Sequence, residues 1–246
     1  MSELAGEISV AIRSAAGGRE PTAGSIFNKP GDEYVAYGLK ALDLRAALRP
    51  FRDRVRELAP VERLKLAGEL LVEGVGEAGH AGIWVVAVGE RELSPRDFSA
   101  LDRLVDSFQG WSHVDDFCAS VLQPLLIRFP GEVVALLDGW TRSPNRWKRR
   151  SSVVAFTRKV GESGVYTDTV LELCERLVGD PEDLVLKGVG WALKDNLRGA
   201  PERVTEYVKE LRRRGVSSVV TLYAIRDLDG ARRAEVLAVN AAGKSG

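Results

Sequence analysis

The chain has 246 residues, 45% of them hydrophobic, enough to bury a large core as one domain or one continuous array. Lys+Arg and Asp+Glu are equal at 35 each, so bulk charge predicts no nucleic-acid partner, and only local clustering can argue for one. No apolar run is long enough to span a membrane, and the acidic opening lacks the basic-then-apolar pattern of a secretory signal. Cys118 and Cys174 therefore read as buried thiols in a reducing cytoplasm.

In chain order, a first helix gives way to a Gly- and Pro-containing loop over residues 17–33, which holds Phe27 and leads to Tyr34. Pro60 then opens a segment whose apolar residues, Val61, Leu64, Leu66, Ala67, Leu70 and Leu71, follow a helical period. A proline early in a helix costs little, because that N–H would have no helical partner. Similar starts recur at Pro95, Pro144, Pro181 and Pro201, and glycine-containing breaks fall at 74–79, 110, 161–164, 199 and 215. Val85–Val88 has strand composition, but its flanks favour a buried helix. The expectation is about twelve helices of roughly 10–18 residues joined by short turns, stacked as helix pairs of about 35–45 residues. That is an all-α, HEAT-like helical repeat solenoid, with residues 1–240 as one domain and 241–246 as a disordered tail.

Charge is uneven along the chain. From Trp140 to Gly161 there are seven basic residues and no acidic one: Arg142, Arg146, Lys148, Arg149, Arg150, Arg158 and Lys159. Such a run suits a phosphate backbone. A second group, Lys187, Lys194, Arg198 and Arg203, lies about one helix pair later and would extend the track in a solenoid. Arg212–Arg214 follow, but Glu202, Glu206 and Glu210 are close enough to balance them.

Three motifs could carry chemistry. In the first, Trp111 precedes Ser112, which fits an N-cap. Asp115 would then occupy the third helical position, where a capping box is a sufficient structural explanation, and Asp116 would be a first-turn acid. In the second, a helix starts near Asn145 and places Trp147 and Arg150 on nearly one face. In the third, Gly188 and Gly190 precede Trp191. Each costs roughly 1 kcal/mol against Ala inside a helix, so a neighbouring helix or a ligand must approach closely. His80, His113 and the two distant cysteines offer no metal-ligand spacing, and neither a phosphate-cradling loop within the fold nor a serine-nucleophile motif occurs.

Trp111-x-x-x-Asp115, Trp147-x-x-Arg150 and Lys187-x-x-Gly190-Trp191, in this order, resemble the DNA alkylation repair proteins, the HEAT-like alkylpurine DNA glycosylases. The resemblance runs over about residues 34–228 and includes the stretches after Tyr37 and from Val216 to Arg226. It implies a curved solenoid whose concave basic cleft holds duplex DNA containing alkylated bases. Asp115 would match the catalytic carboxylate, Trp111 and Trp191 the aromatics beside the lesion's deoxyribose, and Arg150 a contact to the DNA backbone. Arg146, Trp147, Lys148, Arg149, Arg158, Lys187 and Lys194 would complete the DNA-binding surface. No metal or cofactor is implied, and the protein is expected to be a cytoplasmic monomer. The sequence departs from the family at Gly110, where some active members carry an aromatic, and at the N-terminal aromatic, for which Phe27, Tyr34 and Tyr37 are candidates. Two other function classes stay open: a non-catalytic HEAT-like protein that binds damaged or branched DNA, and a protein scaffold with no nucleic acid.

Overall fold

A computed structural model describes residues 1–23 and 34–239. These residues are helical over most of their length, as expected for an all-α helical repeat fold. Among them the strand content is one short antiparallel pair, β1 (Thr22–Ala23) and β2 (Val35–Ala36), with Thr22 opposite Ala36. Phe27 and the tail 241–246 lie outside the described residues. No described helix is long and apolar enough to cross a membrane. The chain forms two compact units, Met1–Val133 and Val134–Gly246, and the division falls within α9 (Pro130–Trp140).

The first unit contains α1 (Glu3–Ala15), α2 (Ala41–Leu48), α3 (Arg52–Glu57), α4 (Pro60–Leu71), α5 (Gly76–Val88), α6 (Phe98–Val105), α7 (Trp111–Phe117) and α8 (Gln123–Arg128). Pro60 opens α4 as expected, and the Glu62 carboxylate accepts the Ala59 N–H at 2.9 Å. The residues from Val85 onward lie in a helix, with Val85 and Val86 buried. The glycine break is narrower than the sequence implied. Gly74 takes a left-handed turn at φ 76°, while Gly76 and Gly79 belong to α5 itself. Gly82 also serves α5, since a Cβ there would lie 2.7 Å from the Ala67 carbonyl oxygen of α4. Removing the Cβ lets these two helix backbones pack at short range.

A π-turn over Cys118–Leu122 joins α7 to α8. Pro124 explains it: with no N–H, and with a ring that crowds the preceding turn, it cannot continue the α-pattern. The Gln123 N–H bonds back to the Cys118 carbonyl instead.

The second unit contains α10 (Arg146–Val154), α11 (Arg158–Glu162), α12 (Thr167–Leu177), α13 (Asp183–Gly199), α14 (Pro201–Arg213), α15 (Ser218–Ala224) and α16 (Gly230–Leu237). At 17 residues, α13 is the organising helix, packed against α10, α11, α12, α14 and α15. Val185, Val189, Ala192 and Leu193 form its buried stripe. Several helices fall short of the expected length: α3 has 6 residues and α11 has 5. Pro50 and the Gly161/Gly164 pair interrupt continuous helix there. Cys118 and Cys174 are buried and not joined in a disulfide, in keeping with their sequence reading.

Candidate active site

In the first unit, α7 carries Trp111 and Asp115. Its N-cap is Gly110, in extended conformation, and no side chain caps it. Trp111 is thus the first helical residue and Asp115 the fifth. This corrects the capping-box expectation: Ser112 is not the cap, and Asp115 is beyond the first turn, where a cap or a dipole contact would explain it. The helix starts earlier because Gly110 is fixed by packing. A Cβ there would sit 2.9 Å from the Tyr34 ring.

Asp115 and Asp116 are adjacent but differ in surroundings. Asp116 receives the His80 ring at 2.8 Å, Nδ1 to Oδ2. The other ring nitrogen of His80, Nε2, lies 3.3 Å from Ser112 Oγ. Asp115, half-buried, is one residue further back and about 100° away around the helix. His113 is fully buried, with Nε2 donating to the Gly76 carbonyl at 2.9 Å and Nδ1 facing the Gln109 N–H. Burial, then the nearby His80, lowers its pKa to about 3, so it is neutral and structural. Gly79 makes this possible, since a Cβ there would meet the His113 ring at 2.5 Å. Tyr34 is buried in the same layer, with its hydroxyl against Gly76 and bonded to Ser112. Tyr37 is half-buried, and its N–H is held by Glu77 at 3.0 Å.

In the second unit, Asn145 caps α10 by accepting the Trp147 N–H at 2.8 Å, where the sequence placed the helix start. Trp147 is buried and carries the Arg146 guanidinium 4.4 Å from its ring centre, while Arg146 also pairs with Glu182 at 3.5 Å. Arg150 is buried, donates to the Leu184 carbonyl at 2.5 Å and lies against Gly188 of α13.

The seven-residue basic run is less open than its sequence suggested. Arg149 grips Asp180 through two bonds, 2.6 and 3.2 Å, and also donates to the Ser143 and Pro144 carbonyls. It is a structural clamp. Lys148 is buried and Arg142 pairs with Asp138. Of the balancing acids, Asp138 lies one helical turn before Arg142, while Asp180 and Glu182 are brought to the run by folding. In the second basic group, Lys194 is bound by Asp195 at 2.9 Å and Asp227 at 3.3 Å, Arg198 by Glu162 and Asp227, and Arg203 by Asp168. Arg213 pairs with Glu210 and Arg214 with Glu175. Lys159 and Lys187 are exposed.

Trp191 is half-buried on α13, with the Arg158 guanidinium 4.8 Å from its ring centre. Arg158 has φ 57°, left-handed backbone that a non-glycine residue adopts at a cost. The Asp195 carboxylate accepts its N–H at 2.5 Å and holds it there. Gly188 and Gly190 admit neighbouring helices. A Cβ at Gly190 would lie 2.7 Å from Tyr223 Cβ and 3.0 Å from the Val220 carbonyl of α15.

Motif reading singled out Asp115, Trp111 and Trp191 as candidates and did not foresee the pairing of His80 with Asp116 or the half-buried Trp84 one helical turn beyond His80. Spacing places His80 and Trp84 on one face of α5, and Ser112 and Asp116 on one face of α7. Only the packing of the two helices joins the faces.

A profile of the family described as DNA alkylation repair enzyme matches residues 19–228. A solved structure described as a predicted DNA alkylation repair enzyme from Enterococcus faecalis superposes with a TM-score of 0.72 at 16% identity, covering 80% of this chain and 90% of its own. No curated protein matches the sequence.

Proposed function

The chain belongs to the DNA alkylation repair enzyme family, and on that premise we propose that it hydrolyses the N-glycosidic bond of cationic alkylated purines, of the 3-methyladenine and 7-methylguanine type, in duplex DNA. An N3- or N7-alkylated purine already carries positive charge, so it departs without a general acid. The sugar then develops oxocarbenium character, as in glycoside hydrolysis. Asp115 stabilises that cation and orients the attacking water. Trp111, on the same helix as Asp115, offers its π-system to that cation, worth about 0.5–2 kcal/mol.

The observation that carries this reading is the position of Asp115: half-buried, beyond the first turn of α7 and one helical turn from Trp111, with no capping role. Lys187 and the Arg158–Trp191 pair are the proposed DNA contacts of the second unit. Arg149 and Lys194 drop out, because their charge is already taken up by buried carboxylates.

The test is release of free base from duplex DNA containing N7-methylguanine, comparing wild type with Asp115→Asn. Release by the wild type and its loss in the variant supports the reading. A wild type that binds duplex DNA with steep salt dependence, yet releases no base from this or a 3-methyladenine substrate, supports the non-catalytic alternative.

A further inference from the structure

The first unit holds a cavity of about 530 Å³ whose floor is the Asp116–His80–Ser112 array. Glu77, His80, Ser112, Asp116 and Ser120 line it from α5 and the α7 run, with Trp84 of α5 one turn beyond His80, and Leu39, Leu44 and Leu48 line it from α2 and the segment leading into it, with Arg45 among them. Neither α7's cap nor the glycosidic chemistry proposed above uses this array.

The hydrogen bonds form a directed chain. The Asp116 carboxylate can only accept, so His80 Nδ1 carries a proton, and in the neutral ring Nε2 is the acceptor. Nε2 faces Ser112 Oγ at 3.3 Å, so the serine hydroxyl is the donor. Tyr34 is hydrogen-bonded to Ser112 from the other side. Burial, foremost, pushes the Tyr34 pKa up and keeps it a phenol. A carboxylate orients the imidazole, the imidazole accepts from the hydroxyl, and the hydroxyl opens on a cavity. These are the relations that activate a serine in acyl transfer, recognised by geometry rather than by local motif. His113, edge-on to His80 with ring centres 4.7 Å apart, is neutral and already bonded at Nε2, so it does not compete for the proton.

We propose that Ser112 is a nucleophile with His80 as its base and Asp116 as the positioning group, and that the cavity takes small carboxylic esters with a short apolar acyl chain. Ser112 Oγ attacks the ester carbonyl carbon as its proton passes to His80 Nε2. The ester C–O bond breaks, and the alcohol leaves with that proton. Water then attacks the acyl-serine and gives its proton to His80. As the acid departs, that proton returns to Ser112 Oγ. One water is consumed, one acid and one alcohol form, and no electrons are exchanged. The cavity wall formed by Leu39, Leu44 and Leu48 receives the acyl chain.

The experiment uses the full chain without DNA, so its outcome is independent of the glycosylase reading. Wild type is treated with a fluorophosphonate probe, and the adduct is located by peptide mass spectrometry. Turnover of 4-nitrophenyl butyrate is measured for wild type, Ser112→Ala, His80→Gln and Asp116→Asn, each checked for folding by its melting curve. The expected result is an adduct on Ser112, with turnover reduced on the order of 100-fold or more in Ser112→Ala and His80→Gln and less in Asp116→Asn. Folded wild type that takes no adduct and shows no turnover overturns the proposal, as does labelling elsewhere or activity that persists in folded Ser112→Ala. If a variant fails to fold, the wild-type adduct decides alone.

Discussion

The Arg158 guanidinium rests 4.8 Å above the Trp191 ring, and the residue that presents it is held in left-handed backbone at φ 57° by the Asp195 carboxylate. Non-glycine residues in that region carry a strain of about 1–3 kcal/mol, which surrounding bonds must offset. Arg158→Gly should therefore change stability little, since relief of strain offsets the lost cation–π contact of about 0.5–1 kcal/mol. Duplex DNA affinity should nonetheless fall severalfold. Thermal melting and a binding titration at fixed salt check both halves. A large loss of stability would show that the stack, rather than the strain, dominates.

Asp115→Asn preserves size and most hydrogen bonding, so the fold should survive. Base release should drop on the order of 100-fold or more, because the charge that meets the sugar cation is gone. Asp116→Asn, one residue on, should cost less than about tenfold, since that carboxylate faces His80. Equal losses in the two variants would remove the distinction drawn between the acids.

The two glycines of α13 should respond oppositely to alanine. At Gly188 the nearest atoms to an added Cβ are side-chain carbons at 3.4 Å, so Gly188→Ala should gain the helix propensity of about 0.5–1 kcal/mol. At Gly190 the obstacles include the Val220 carbonyl at 3.0 Å and Tyr223 Cβ at 2.7 Å, which no rotamer can move. Gly190→Ala should cost about 1–3 kcal/mol in urea unfolding.

His113 gives a pH signature. Its folded pKa, lowered mainly by burial to about 3, lies below the unfolded value near 6.5. The unfolded chain takes up this proton first as pH falls, so the contribution is complete above about pH 6.5 and is lost progressively down to about pH 3. The slope from this group approaches about 1.4 kcal/mol per pH unit within that window. Denaturant titrations from pH 7 to pH 4 should show it, and His113→Gln should flatten it.

Basic residues should separate by role. Arg149→Ala leaves Asp180 buried and unpaired, and should destabilise the protein by about 3–5 kcal/mol. Lys187→Ala touches an exposed cation and should leave melting unchanged. It should reduce the slope of log affinity against log salt by about 0.9, the amount expected for one phosphate contact. An unchanged slope would take Lys187 off the DNA surface.

The sequence by itself determined the helical class, because prolines at helix starts, glycines at turns and apolar spacing are local signals. Pro60 and Asn145 act where the pattern put them. Motif spacing, which survives in one dimension, also pointed to the family whose profile matches residues 19–228. The sequence misjudged what depends on partners distant along the chain. Gly110 replaced Ser112 as the cap, with Tyr34 packed against it, and Arg146 and Arg149 of the basic run found Glu182 and Asp180. Tertiary structure alone brought His80 of α5 to Ser112 and Asp116 of α7, over more than thirty residues of chain. Charge pairing and hydrogen bonding act over a few ångströms of space, whatever the separation along the chain, so only packing could decide which cations stay open and which hydroxyl meets an imidazole.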